Sequence, residues 1–357
     1  YFNTPNMPGS TRSYEFAKRL VSRGDTVYII TTNWQGSSKL SYSLIDGINV
    51  YWAPLSYRNN MSYLKRTIIF IRFIWYILSL GWKLNFDLII ASSTPLTISL
   101  PSIILKKLKG VKMVFEIRDL WPELPIAMGA IKSKLVIKLS KWLEKTTYKN
   151  SDHIICLSLG MKNELCKRIS KNKITIVTNL SDRLRFQRQS EKNQVQIPIS
   201  KKQDIILYAG AFGRINRVIY LVEIAKEMQK INSDLFFLLA GNGYDKKRII
   251  EKSKEYGLYN NTLYHIDYVP KKQMPELLSK ATITTSLFLD IPEMENNSAN
   301  KFFDGLAAGK PIMINYGGWQ ADLLNNTGCG FTIPSNEPNN SARIINVVKI
   351  FASYIID

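Results

Sequence analysis

Apolar residues along the chain recur with two different periods. Between Thr11 and Arg23 they fall at Phe16, Ala17, Leu20 and Val21, one face of a helix, and Gly24 stops that helix before the strand-like run TVYIITT, Thr26–Thr32. FDLIIASST, Phe86–Thr94, is apolar almost throughout, as a parallel strand covered on both faces has to be. The alternation goes on with a helix over Thr97–Lys109, a strand over Val111–Ile117, a helix over Ser133–Lys149 and strands over His153–Ser158 and Lys173–Asn179. Leu180–Gln203 breaks the rhythm: it is polar, charged and without a sustained period, and reads as a linker. Strands then return at Asp204–Gly210, Leu235–Gly241, Thr262–Asp267, Thr282–Phe288 and Pro311–Asn315, with helices at Val218–Gln229, Lys246–Tyr256 and Lys271–Lys280 between them. This is the pattern of two α/β halves in series, each with a doubly wound parallel sheet, and a cleft between them at the strand ends. The expected limits are 1–182 for the first domain, 183–203 for the linker, 204–340 for the second domain and 341–357 for a C-terminal helix directed back toward the first. Because the chain opens at Tyr1 in what reads as a loop, the initial strand of the first domain is expected to be missing.

The 357 residues suffice for two cores, and 45% hydrophobic residues is a globular composition. A net charge of +20 favours anionic partners such as phosphorylated small molecules or acidic lipid headgroups; a general Lys, Ile and Asn bias of the chain is the other source of that charge. No nucleic-acid-binding module accompanies the charge. Cys156, Cys166 and Cys329 have neither metal-like nor redox-like spacing, which fits a reducing compartment. His153 and His265 stand alone, which argues against a zinc site or a Ser-His-Asp triad, and no D-x-D triplet offers a metal–diphosphate clamp. No apolar run reaches membrane-spanning length.

Chemistry concentrates at strand ends. In ENNSANKFFDGLAAGKP, Glu295–Pro311, Ser298 suits an N-cap, Gly309 a C′ position, and Phe302, Phe303, Leu306 and Ala307 make the apolar face. The free amides of the first turn, with Lys301 beside them, suit a diphosphate, and Asp304 can accept both hydroxyls of a ribose. A plain capped helix with a solvated Asp304 explains the same residues. YAGAFGRINR, Tyr208–Arg217, leads a strand into a turn with Gly210 and Gly213 and then Arg214 and Arg217, and AGNGY, Ala240–Tyr244, repeats a glycine turn at Gly241. In the first half, FEIRDLWPELP, Phe115–Pro125, sets Glu116, Arg118 and Asp119 directly after a strand. They form either an Arg–Asp ion pair that fixes the loop or an acceptor ligand and general base. Met61–Leu84 mixes apolar and aromatic residues with Lys65, Arg66, Arg72 and Lys83; it packs on the sheet, lies in the interface of an anionic membrane, or both.

At these residues the sequence resembles glycosyltransferase family 4, of GT-B architecture with two facing Rossmann-like domains, and within it the bacterial branch that builds O-antigen, capsule and exopolysaccharide. The matching pieces are MPGSTRSYEFAKRLVSRGDTV, ASSTPLTISLP, FEIRDLWPELP, LYAGAFGRIN, LLAGNGY and NNSANKFFDGLAAGKP, and the likeness covers nearly the whole chain. It implies a retaining, metal-independent transfer of an N-acetylated or deoxy sugar from UDP to an undecaprenyl-diphosphate-type saccharide. The nucleotide sugar is a co-substrate and no cofactor is involved. The enzyme would sit on the cytoplasmic face of the inner membrane, held through Met61–Leu84. The C-terminal domain would hold the donor with Gly210, Gly213, Arg214, Gly241, Asn296, Asn297, Ser298, Lys301 and Asp304, and Gly9 and Ser10 match the glycine-rich loop that approaches the donor phosphates. Glu116, Arg118 and Asp119 would face the acceptor; Asp119, Glu295, Arg214 and Lys301 would carry catalysis.

Departures from the family pattern are visible. It has two glutamates separated by seven residues; counting back from Asp304 reaches Asn296, and Glu295 stands one place early. The usual phosphate-binding Lys falls near Asn216, a usual His after the strand is Arg118, and another is Asp25. A nucleotide-sugar epimerase of the same architecture and a basic nucleic-acid-binding protein are the alternatives.

Overall fold

Along IILYA, Ile206 and Tyr208 enter one apolar core while Ile205 and Leu207 enter another, so this strand is buried on both faces. Its neighbour repeats the division, with Phe237 and Leu239 on the first side and Leu238 and Ala240 on the second. That is why these strands read as unbroken apolar runs. The computed structural model describes residues 2–7, 9–33, 39–56, 63–187, 195–199, 203–231 and 233–356.

The backbone separates into two compact units, one of Tyr1–Thr4 and Ser10–Thr178, the other of Pro5–Gly9 and Asn179–Asp357. The first unit contains, in order, α1 (Arg12–Ser22), β1 (Tyr28–Thr32), β2 (Ser41–Ile45), β3 (Ile48–Ala53), α2 (Tyr63–Lys83), β4 (Leu88–Ser92), α3 (Ser99–Lys109), β5 (Lys112–Ile117), α4 (Glu123–Ala127), α5 (Lys134–Asn150), β6 (His153–Cys156), α6 (Leu159–Cys166) and β7 (Ile174–Ile176). Its strands form a parallel sheet β4-β5-β6-β7 and a three-stranded sheet β1-β3-β2 in which β2 runs antiparallel to β3. The β2–β3 hairpin turns at Asp46 and Gly47, both with positive φ, the pairing that a tight hairpin favours.

The second unit contains α7 (Arg183–Gln187), β8 (Ile205–Ala209), α8 (Ile219–Lys230), β9 (Phe236–Ala240), α9 (Lys246–Glu255), β10 (Leu263–Ile266), α10 (Met274–Ser279), β11 (Ile283–Ser286), α11 (Asn300–Ala307), β12 (Ile312–Ile314), α12 (Trp319–Thr327), β13 (Gly330–Thr332) and α13 (Pro338–Ile356). All six strands are parallel, in the order β10-β9-β8-β11-β12-β13. Strand succession reverses between β8 and β11, so the loops after those two strands frame the crevice where doubly wound sheets bind ligands.

The stretch expected to be linker, 183–203, is partly structured. It opens with α7, and Val195 and Ile199 are buried beside Leu277 and Leu278; residues 188–194 and 200–202 lie outside the described residues. Val195 is held at both ends, its amide donating to Glu276 Oε1 at 3.0 Å and its carbonyl accepting from Lys280. The C-terminal helix starts at Pro338 and packs on α8 with Ala342 and Ile345 in the core of the second unit.

Candidate functional site

Tyr208 is the penultimate residue of β8, and its hydroxyl donates to the Ala211 carbonyl at 2.8 Å across the turn that follows. The turn is built for close backbone approach: a Cβ placed on Gly241 would lie 1.9 Å from the Gly210 carbonyl oxygen. A Cβ on Gly210 would sit 3.5 Å from Lys301 Nζ. Beyond it a 3-10 turn, Arg214–Asn216, carries the two polar side chains of this loop, and the Ile215 carbonyl accepts from the Leu289 amide at 2.9 Å, tying it to the loop after β11.

Lys301 lies in the first turn of α11, at the carboxyl end of β11. Its Nζ donates to Tyr208 Oη at 2.9 Å and to Asn216 Oδ1 at 3.0 Å, and stands 4.4 Å from the centre of the Tyr208 ring. No carboxylate pairs with it among the described residues, and burial pushes its pKa down to about 7. A cation at a helix N-terminus also opposes the helix dipole. Burial and dipole both disfavour the ammonium, and an anion at this spot relieves both.

Around it, the expected N-cap is corrected. Ala299 is the capping residue, no side chain caps α11, and the buried Ser298 hydroxyl has no partner among the described residues. The helix arrives one residue late because the Ser298 carbonyl is taken by Asn179 Nδ2 and its amide by Asn297 Oδ1. The Asn297 carbonyl accepts from Trp319 Nε1 at 2.8 Å, so Asn297 shapes the loop. Gly309 does close the helix, with φ +65°. Glu295 and Asn296 belong to a 3-10 turn, Pro292–Asn296; Glu295 is exposed and Asn296 half-buried.

Asp304 is neither solvated nor open. It is buried, forms an ion pair with Lys271 through one oxygen and accepts from Ser181 Oγ at 2.7 Å through the other. Lys301 and Asp304 line one small cavity with Ala209, Thr284 and Thr285. Lys271 also anchors the chain's beginning: its amide and that of Lys272 donate to the carbonyls of Met7 and Pro5, so Gly9 belongs with this unit. Arg214 is exposed and has no acidic partner among the described residues; it stacks 4.5 Å over the Tyr244 ring and donates to its hydroxyl at 2.8 Å.

In the first unit the charges at the end of β5 and just after it are wired differently from expectation. Glu116 is buried and taken: Arg12 Nε donates to it at 2.8 Å and Ser92 Oγ donates to its other oxygen, so it is no free acceptor ligand or base. Arg12 adds hydrogen bonds to the carbonyls of Val177 and Thr178 at 2.9 and 2.8 Å. No Arg118–Asp119 ion pair forms. Arg118 Nη2 reaches Ser10 Oγ at 3.4 Å, and Asp119 Oδ2 accepts from Thr94 Oγ1 at 3.0 Å. Arg12 and Lys271, to which the sequence reading assigned no role at the site, thus hold Glu116 and Asp304, two of the four acids singled out there. Their pairing spans distant parts of the chain and has no local signal.

A six-stranded doubly wound sheet, with a lysine that meets no carboxylate among the described residues near its strand-order switch, is an architecture in which phosphate sites form. The sequence agrees. Residues 9–182 match the model described as Glycosyltransferase Family 4, and residues 189–349 match Glycosyl transferases group 1. The chain belongs to glycosyltransferase family 4.

Among curated relatives, an uncharacterized glycosyltransferase of Methanocaldococcus jannaschii is 25% identical over 219 residues, 60% of this chain and 56% of the relative. The probable glycosyltransferase WbjE of Pseudomonas aeruginosa is 20% identical over 280 residues, 73% of this chain and 66% of WbjE. The match therefore spans less than two thirds of either relative's length. Among solved structures, sucrose-phosphate synthase from Thermosynechococcus elongatus superposes with a TM-score of 0.76 at 15% identity, over 98% of this chain and 88% of that one. WaaG, a glycosyltransferase involved in lipopolysaccharide biosynthesis, gives 0.67 at 14% identity over 96% and 87%. Anabaena HepE in complex with UDP and glucose gives 0.61 at 14% over 85% and 77%.

Proposed function

We propose that this chain transfers a sugar from a UDP-sugar to a lipid-diphosphate-linked saccharide. The observation that carries the reading is Lys301, a half-buried side chain whose ammonium meets no carboxylate among the described residues, set among the glycine turn after β8 and the start of α11. HepE and WaaG, which share the fold, support the donor class and the process. As the glycosidic bond to the nucleotide breaks, negative charge gathers on the leaving diphosphate. Lys301 and the α11 amides neutralise it from within, and Arg214 from the exposed side. Retention at the anomeric carbon follows from the family resemblance, with Glu295 and Asn296 in the turn before α11 as the donor-sugar contacts. Asp119 is the acid of the first unit that remains to take the acceptor's proton, since Glu116 is spoken for by Arg12.

Incubation with a panel of UDP-sugars and an undecaprenyl-diphosphate-linked saccharide tests this. UDP release is expected with one donor and only when the acceptor is present. An isomerised UDP-sugar formed without acceptor would instead make the chain an epimerase.

Two substitutions probe the donor side. Arg214→Ala should lower turnover by about one order of magnitude, less than a buried cation would, because its guanidinium is in solvent contact. Steady-state rates with saturating acceptor show this, and an unchanged kcat would remove Arg214 from the chemistry. For Asp304→Asn, UDP affinity should fall by roughly tenfold if the ribose exchanges for Ser181 and Lys271 at this carboxylate. Calorimetric titration with UDP decides it; equal affinity would leave Asp304 a purely structural partner of Lys271.

A further inference from the structure

Three helices of the first unit turn apolar side chains outward where an ordinary globular helix shows polar ones. On α2, Ile68, Ile71, Trp75 and Trp82 fall on one stripe, the two tryptophans 64% and 61% exposed, while the buried Ile77 and Gly81 lie on the opposite side. On α5, Leu135, Leu139 and Trp142 form a second outward stripe, 66%, 54% and 59% exposed, with Leu143, Thr147 and Tyr148 facing the core behind them. α3 packs against both helices and adds the exposed Ile104 and Leu108. Gly81 lets α2 lie close: a Cβ there would meet Leu105 Cδ1 of α3 at 2.5 Å.

The charge on this face has one sign. Lys134, Lys138, Lys141 and Lys145 run in a column beside the α5 stripe, and Arg72 stands exposed beside the α2 stripe. The only carboxylate on the three helices is Glu144, which is buried and held by Arg168. Exposed apolar patches of this kind mark an interaction surface. A face that is at once aromatic, aliphatic and lysine-bordered matches a lipid interface, with indoles at headgroup level and lysines on anionic groups. None of the helices, among the described residues, is long and apolar enough to cross a membrane.

We propose that the α2–α3–α5 layer is the face by which this chain lies on an anionic phospholipid bilayer, with α5 inserted alongside α2 and its lysine column on the headgroups. This deepens the reading that the acceptor is lipid-borne and rests on it for its purpose, but its test needs neither donor nor acceptor.

Co-sedimentation with phosphatidylglycerol-containing and with pure phosphatidylcholine vesicles provides it. The unaltered chain should bind the anionic vesicles and be released by salt. Leu139→Ser/Trp142→Ser should weaken partitioning by at least about tenfold, and Lys134→Glu/Lys138→Glu/Lys141→Glu by on the order of a hundredfold. Circular dichroism and UDP affinity should stay unchanged, since these side chains are exposed. Normal vesicle binding by both α5 variants, with loss only in Trp75→Ser/Trp82→Ser, would overturn the role of α5 and leave α2 alone. Equal binding to neutral vesicles would overturn anionic recognition. A dimer that Trp142→Ser dissociates, without vesicle binding, would make a second copy the occupant. If α5 variants glycosylate a detergent-dispersed acceptor normally but fail on a vesicle-embedded one, the docking face stands and so does the transfer reading; failure on both would count against the docking role.

Discussion

Replacing Lys301 with Met is expected to cut turnover by about two to three orders of magnitude while leaving the folded chain as stable as before, or more so. The two effects have one origin. The ammonium is held by a phenol and an amide oxygen and by no acid, so in the empty site it is a burden on folding. Methionine fills a similar volume without that penalty. On the proposed reading the same charge faces the leaving diphosphate, and methionine offers nothing there.

The sign of the pH dependence follows from the shift. Folded Lys301 titrates at about 7, against an ordinary 10.5. Below pH 7 it is charged in both states and the full penalty applies. Between pH 7 and 10.5 the unfolded chain holds the extra proton, so this residue's contribution to stability rises with pH. The melting advantage of Lys301→Met should therefore be largest below pH 7 and vanish by about pH 10.5. UDP binding near pH 8 should draw a proton from solution, seen as heats that vary with buffer ionisation. A melting difference independent of pH, together with buffer-independent heats, would show that Lys301 stays charged by other means.

Arg12→Met should destabilise the first unit by roughly 3–5 kcal/mol, the penalty for leaving a buried carboxylate unpaired. Glu116 would keep only its bond from Ser92 Oγ, and the carbonyls of Val177 and Thr178 would lose their donors. Burial pulls the Arg12 guanidinium below its usual pKa, and Glu116 opposes that shift, so the ion pair is what makes the burial tolerable. The partner test is Arg12→Met/Glu116→Leu. Removing both charges should restore most of the lost stability, since two apolar groups of similar volume need no counter-ion. Denaturant unfolding followed by tryptophan fluorescence measures all three chains. If the double variant is as weak as the single one, the carbonyl contacts of Arg12 matter more than Glu116.

How much of this was readable from the sequence depended on how local the signal was. The second unit announced itself because its strands are covered on both faces, which writes continuous apolar runs into Asp204–Gly210 and Leu235–Gly241. The glycine turn after β8 and the Lys301 stretch were legible for the same local reason. The β2–β3 hairpin carries an equally local sign, alternation around Asp46–Gly47, to which the sequence reading assigned no strands. The pairing of Arg12 with Glu116 spans 104 residues and that of Lys271 with Asp304 spans 33, and no periodicity encodes either. Ser298 shows the limit from the other side. Its residue type suits a cap, but Asn179, 119 residues away, takes its carbonyl and the helix starts later. Val195 and Ile199 are too sparse to make a pattern, and only the groove beside Leu277 and Leu278 makes them core.

The central place of β8 bears on how the chain is made. One neighbour, β9, follows promptly, but β11 arrives much later; the bond from the Ile205 amide to Thr282 Oγ1 spans 77 residues. Until then a strand greasy on both sides has an open edge at the ribosome. A chain halted before Ile283 should collect in inclusion bodies, whereas one carried through β11 should not.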